Sequence, residues 1–381
     1  MPYRLWLMAT SHGRVEMLGN IGPNWFASVM GTGIVATAGA TLPIHLWGLR
    51  GFAEVVWVFA AVLLVVLLAL VGVHWLRHPT VARTHARNPQ MAHFYGAAPM
   101  ALMTVGGGAV LIGHELIGEQ LAVDLGWVLW IAGTIGGLFT AVSIPFLMFT
   151  QHNVEPDAAF GGWLMPVVPP MVSAANGALL IPHMVPGTGR TTMLYGCYAM
   201  FGLSLVAALI IITLIWSRLA LYGTSGTARV PTLWIVLGPI GQSITAAGLL
   251  GLNAARAVPP ELAQSMNAFA VIFGVPMWGF AVLWIALATS LTVRTLRRGM
   301  PFALTWWSLT FPVGTFVTGT TQLAVHTQLP AFKVAAVIAY VGLLSTWLLV
   351  AVRTARGSLR GNLLNPPPSP GPIRARKDPA P

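Results

Sequence analysis

Apolar residues run along this chain in blocks far longer than a soluble helix or strand requires. Val55 to Leu76 holds no charged residue and a single histidine, and Thr191 to Trp216 holds no charge at all. Each block exceeds the roughly 20 residues that cross about 30 Å of hydrocarbon. Cutting the chain at its polar breaks gives about ten such spans. In hydrocarbon a helix satisfies its own backbone donors and acceptors, so the spans are predicted to be helices. The predicted class is an all-α integral membrane protein.

A second pattern lies inside the first. The odd-numbered spans share an aromatic residue followed, about five positions on, by a residue that perturbs a helix. The third span reads Phe94-Tyr95-Gly96-Ala97-Ala98-Pro99 and the fifth reads Trp163-Leu164-Met165-Pro166-Val167-Val168-Pro169. The seventh reads Trp234-Ile235-Val236-Leu237-Gly238-Pro239 and the ninth Trp307-Ser308-Leu309-Thr310-Phe311-Pro312. The first span has Met30 in the proline position. Successive spacings from 30 to 99, 169, 239 and 312 are 69, 70, 70 and 73 residues. Internal repetition of this kind means one supersecondary unit copied along the chain. The unit is a hairpin of two helices, and five parallel copies close most simply into a pseudo-fivefold ring around a central pore, with ten transmembrane helices.

The two helices of each hairpin differ in texture. Odd spans are rich in small residues, as in Gly106-Gly107-Gly108 and Thr318-Gly319-Thr320-Thr321, whereas even spans are bulky, as in Val62-Leu63-Leu64-Val65-Val66-Leu67-Leu68. Small residues allow close helix packing or a narrow lumen, and bulky ones suit lipid. The odd helices are therefore the predicted inner ring. Pro99, Pro169, Pro239 and Pro312 are predicted to kink them at one depth, or else simply to shape packing. The residues before that column are Val29, Ala98, Val168, Gly238 and Phe311. If they face the lumen, the four smaller ones line it and Phe311 nearly fills it, as an apolar gate that blocks ions by dewetting. The alternative is a packing role for Phe311 against lipid or a neighbouring helix.

A further column follows fourteen or fifteen residues after the aligned positions 30, 99, 169, 239 and 312: His45, His114, His183, Asn253 and His326. They are predicted to form a ring at the outer mouth. Three readings stay open for it: helix-terminal caps that favour the dipole, pH tuning of flux, or a transition-metal site.

Charge adds sidedness. The chain has 56% hydrophobic and 8% charged residues and a formal net charge of +11. Sixteen basic residues fall in one set of loops and the termini, and only Arg50, Arg190, Arg256 and Lys333 in the other set. The positive-inside rule then places both termini in the cytoplasm of a multi-pass protein of the plasma or inner membrane. Topology accounts for the charge, so no nucleic-acid partner is expected. The predicted organisation is a cytoplasmic N-terminus over 1–22, a transmembrane channel domain over 23–353 and a disordered Pro/Arg-rich cytoplasmic tail over 354–381. No cleavable signal peptide is evident at the start. Cys197 lies in an apolar run and reads as a small packing residue. His74 and His78, at i and i+4, could place two ligands on one helix face, but no Glu lies between them and no second pair matches. Interface anchoring is the simpler reading, and no metal, cofactor or catalytic residue is expected.

The inner helices carry no Asp, Glu, Lys or Arg within 24–40, 93–112, 163–181, 232–253 or 304–322. Carboxylate-coupled carriers commonly keep an ionisable group at membrane depth. Its absence points to a passive path for anions, served by hydroxyls, backbone dipoles and the basic balance. The runner-up is a proton-coupled secondary transporter. No nucleotide-binding motif is present.

The segment Asn24-Trp25-Phe26-Ala27-Ser28-Val29-Met30-Gly31-Thr32-Gly33-Ile34 resembles the opening helix of the tellurite-resistance/dicarboxylate transporter family. Trp306-Trp307-Ser308-Leu309-Thr310-Phe311-Pro312 is similar to its ninth-helix motif, and Trp163 to Gly177 to bacterial members. The resemblance covers about residues 20–353. That family includes plant guard-cell slow anion channels, yeast malate permeases and sulfite exporters. The resemblance implies five hairpins around a pore, frequent assembly as a homotrimer, and occlusion by a phenylalanine, here Phe311. The implied cargo is small anions: inorganic anions, C4-dicarboxylates such as malate, sulfite, or tellurite-like oxyanions.

Overall fold

A computed structural model describes residues 21–44, 46–361 and 363. His45, the first twenty residues and the tail from 364 lie outside the described residues. Among the described residues every regular element is helical. In chain order the main helices are α1 (Phe26–Thr41), α2 (Leu49–Arg77), α3 (Ala97–Gly108), α4 (Glu119–Thr150) and α5 (Pro169–Leu180). There follow α6 (Thr188–Tyr222), α7 (Leu237–Ala254), α8 (Pro260–Leu296), α9 (Phe311–Thr327) and α10 (Pro330–Leu359). Seven helical stretches are long and apolar enough to cross a membrane. At 16, 12 and 17 residues, α1, α5 and α9 fall short on length.

Each odd-numbered helix is preceded by tighter 3-10 turns, over Pro23–Trp25, Ala92–Gly96, Gly161–Leu164, Thr227–Val236 and Leu304–Leu309. The prolines do not bend the middle of a continuous helix. Pro99, Pro169, Pro239 and Pro312 sit within the first three residues of α3, α5, α7 and α9. The missing N–H of a proline costs nothing in a first turn, where no intrahelical acceptor awaits it. The expected kink is thus a change of helix type. Pro99 and Pro169 also pack against Gly133, Gly136 and Gly137 of α4, and a larger residue at Gly133 or Gly137 would collide.

Every even-numbered helix lies against the odd helix before it and the odd helix after it. The odd helices touch in the order α1, α3, α5, α7, α9 and back to α1. Burial follows the texture of the sequence. The stretches containing α3 and α7 are 78% and 89% buried, against 22–28% for α2, α4, α6, α8 and α10. Indole groups fasten the outer layer to the inner one. Trp57 Nε1 donates to Val105 O at 3.0 Å, Trp130 Nε1 to Ser173 O at 2.9 Å, and Trp284 Nε1 to Leu233 O at 2.8 Å. The last helix closes on the first: Tyr340 Oη donates to Val35 O at 3.1 Å and Trp347 Nε1 to Thr32 Oγ1 at 3.2 Å. Backbone carbonyls in such an interior have no water to turn to, so these donors matter more than they would on a soluble surface.

Two boundaries shift. The last helix continues to Leu359, six residues beyond the predicted edge of the membrane domain. A π turn over Ala109–Gly113 follows α3, the second inner helix, and Arg50 Nη2 donates to its Leu111 carbonyl at 2.9 Å. Cys197 is free and buried, beside Gly177.

Candidate functional site

Two cavities lie within the circuit of odd helices. The first, of about 70 Å³, faces the C-terminal halves of those helices and takes wall residues from all five. Its polar wall comprises Thr37, Thr41, Thr104, Asn176, Gln242, Thr245, Thr318 and Gln322. The second, of about 30 Å³, faces the helix starts and is apolar, with Met30, Met100, Val168, Gly238, Pro239, Trp307 and Pro312 in its wall. A water occupies roughly 10–15 Å³ on this measure, so the first cavity holds several waters and the second about two. Phe311 is the one described residue lining both, and its side chain is 5% exposed. No Asp, Glu, Lys, Arg or His lines either cavity.

The predicted lining column is brought together only in part. Val168, Gly238 and Phe311 line the second cavity, and a Cβ added at Gly238 would meet nothing within 4 Å. Val29 and Ala98 line neither cavity. Met30 and Met100 take their places, one and two positions further on. The reason is angular: a residue advances by about 100° in an α-helix and more in a 3-10 turn. The α-helices begin four, two, none, two and one residues before the aligned positions, so one sequence column does not keep one facing throughout.

The polar wall is the element that single-column reading missed. A trace of it exists in the sequence: Thr37, Thr104, Asn176, Thr245 and Thr318 stand five to seven residues beyond the aligned positions. The hydroxyls are mostly committed as donors. Thr104 donates to Met100 O at 2.8 Å and Thr245 to Gly241 O at 3.0 Å, and Thr37 turns to Gly33 O at 3.3 Å. The amides are freer. Asn176 Nδ2 gives one N–H to Val172 O at 2.9 Å, and the buried Gln322 Oε1 has no partner among the described residues.

In the terminal column, His114, Asn253 and His326 each turn back on a carbonyl of their own helix. His114 Nδ1 lies 3.1 Å from Val110 O, His326 Nδ1 2.8 Å from Gln322 O, and Asn253 Nδ2 2.9 Å from Leu249 O. His183 lies 4.0 Å from Glu119. None of these four lines either cavity. Among the described residues no three His, Cys, Asp or Glu side chains are grouped to hold a metal. The His74 ring lies 5.9 Å from His78 and 5.6 Å, stacked, from His85, a third member that the i, i+4 spacing does not reveal.

Long apolar helices wrapped around a buried circuit with uncharged internal cavities define a multi-pass membrane transport protein. The family profile described as voltage-dependent anion channel matches residues 20–355, and the chain belongs to that family. It is therefore an anion transport protein and not an enzyme. Among characterised relatives, a sulfite efflux pump of Trichophyton rubrum is 27% identical over 88% of this chain and 90% of its own length. An uncharacterised transporter of Methanocaldococcus jannaschii is 27% identical over 90% and 93%. A malic acid transport protein of Schizosaccharomyces pombe is 21% identical over 91% and 82%.

Proposed function

We propose that the two cavities are halves of one permeation path for small anions, parted by the Phe311 ring. The observation that carries this is the position of Phe311, which lines both spaces while every other wall residue lines one. In this reading the five hairpins form a ten-span pseudo-fivefold ring, and α1, α3, α5, α7 and α9 surround the path. An ion without its hydration shell is disfavoured beside an apolar ring, so the closed position blocks by dewetting. Rotation of the ring about its side-chain bonds joins the halves. The uncharged amide and hydroxyl wall then replaces part of the anion's hydration without binding it too tightly to leave. The cargo class follows the printed names of the relatives: sulfite and malate, with other small anions able to enter. The helix starts face the cytoplasm of the cell membrane, with both termini on that side, and three chains assemble, each with its own path.

The test is Phe311→Ala in liposomes over chloride, nitrate, malate, sulfite and tellurite. Anion flux rises well above wild type in a variant that still folds. Unchanged flux from a well-folded variant removes the gate.

A second reading has one supporting observation: the fungal relatives are named efflux pumps. It makes the chain a proton-coupled exporter. Currents reversing at the anion's Nernst potential support the channel, and reversal that moves with the proton gradient supports the carrier.

A further inference from the structure

A third cavity lies apart from the central two and shares no wall residue with them. It measures about 490 Å³ and sits where the loop after α4, the end of α6 and the 3-10 turns before α3 and α7 meet. Arg218 forms part of its wall, yet this arginine is only 6% exposed. Its Nε donates to Asp157 O at 3.0 Å and Nη1 donates to Gly223 O, both backbone carbonyls. No carboxylate comes within 4.0 Å of it among the described residues. A buried guanidinium is costly to keep without a counter-charge, by several kcal/mol in general. Here the Asp157 carboxylate acts on it only from beyond ion-pair distance, and an open space stands beside the group.

Other observations point the same way. His93, in the same wall, is 2% exposed, and its Nδ1 has no hydrogen-bond partner among the described residues. The Phe160 ring packs against His93 on an edge at 5.8 Å and carries the Arg229 guanidinium over its face, also at 5.8 Å. Two arginines and a buried imidazole thus line one space. Glu155 and Asp157 also reach this wall, but both are exposed residues of the loop.

We propose that this cavity binds a small oxyanion between Arg218 and Arg229, with His93 as the third polar contact. A planar guanidinium matches two oxygens of one anion, which a point charge does not. The site stands beside the path, because His93 adjoins Phe94 and Trp163 is two residues from Met165, and both Phe94 and Met165 line the second central cavity. It deepens the anion-transport reading by adding a holding site at the mouth where the odd helices start. Its test does not depend on flux.

The experiment is calorimetric titration of sulfite into the full chain in neutral-lipid nanodiscs. Arg218 holds two backbone carbonyls, so its replacement endangers folding. Arg229→Gln is the better variant, because Arg229 is half-buried and makes no such bonds. It is expected to weaken sulfite binding about tenfold, the loss of one hydrogen bond to a charged group. Asp157→Asn is expected to tighten binding, since it removes a nearby like charge. Opposite shifts from these two variants, at unchanged melting temperature, support the site. Binding that neither variant alters overturns it, as does displacement of sulfite by a small fraction of anionic lipid, which would assign the cavity to a headgroup. Failure of the permeation reading shows separately, as a wild-type chain without anion flux.

Discussion

The hydroxyl oxygens of Thr245 and Thr318 lie 2.8 Å apart, joining α7 to α9 inside the polar cavity. Such closeness requires the two backbones to touch. Gly241 permits it: a Cβ there would come 2.5 Å from the Thr315 carbonyl carbon and the Phe316 nitrogen. Gly241→Ala must push the helices apart. The expected cost is about 1–3 kcal/mol, as for other overpacked interiors, read as a lower melting temperature of the purified protein. An unchanged melt would mean that α7 and α9 can slide past each other freely.

Gln242 lines the polar cavity and is buried there. Gln242→Leu keeps the volume and removes the amide. A hydrogen bond to a charged group is worth about 1.5–3 kcal/mol. Anion flux is expected to fall about tenfold or more in the Phe311→Ala background, where the ring no longer limits it. The melting temperature stays near that of the parent. Flux equal to the parent would show that anions pass without touching this side chain.

The terminal histidines give a negative expectation. His114 and His326 engage carbonyls of their own helices, and His183 lies by Glu119. None faces a cavity. Replacing the four column histidines by Gln should leave the pH dependence of flux between about pH 5.5 and 8, the range in which histidine titrates, as it is in wild type. A flattened response would restore pH tuning to this column.

His85 lies on the short helix Pro79–Arg87, outside the long apolar spans. Burial, and then the neighbouring charge of His74, hold its pKa below the ordinary histidine value. The unfolded chain therefore binds the proton more readily than the folded one. Stability from this group is present above the ordinary histidine pKa and is lost as pH falls through it. Wild type should melt at a lower temperature at about pH 5 than at about pH 7, and His85→Gln should narrow that gap. An equal gap in the variant would mean that His85 is already free to protonate.

The spacing of 69 to 73 residues foretold both the hairpins and which helix of each is buried. That was legible because small residues and bulky ones segregate into alternate spans, and burial follows side-chain volume. Phe311 stood out in the sequence because it is the one large ring in its column, and it is the described residue that lines both central cavities. Facing was less legible. Val29 and Ala98 share a column with Phe311 but not a wall, since a one-residue shift at each 3-10 to α junction turns a side chain by about 100°. The cavity behind Arg218 was invisible for another reason. Its arginines look like ordinary loop charges in the sequence, and only the fold shows that no carboxylate reaches the buried one.

The bond from Tyr340 to Val35 spans 305 residues of chain. Growing chains lengthen by about 5–20 residues per second, so α1 waits roughly a quarter of a minute to a minute for its last neighbour. Until then the outer layer has a missing side. A chain cut short before α10 keeps α2 and α3 on one flank of α1 and lacks the outer helix on the other. Closure of the outer layer thus comes last in synthesis, when α10 takes its place against both α9 and α1.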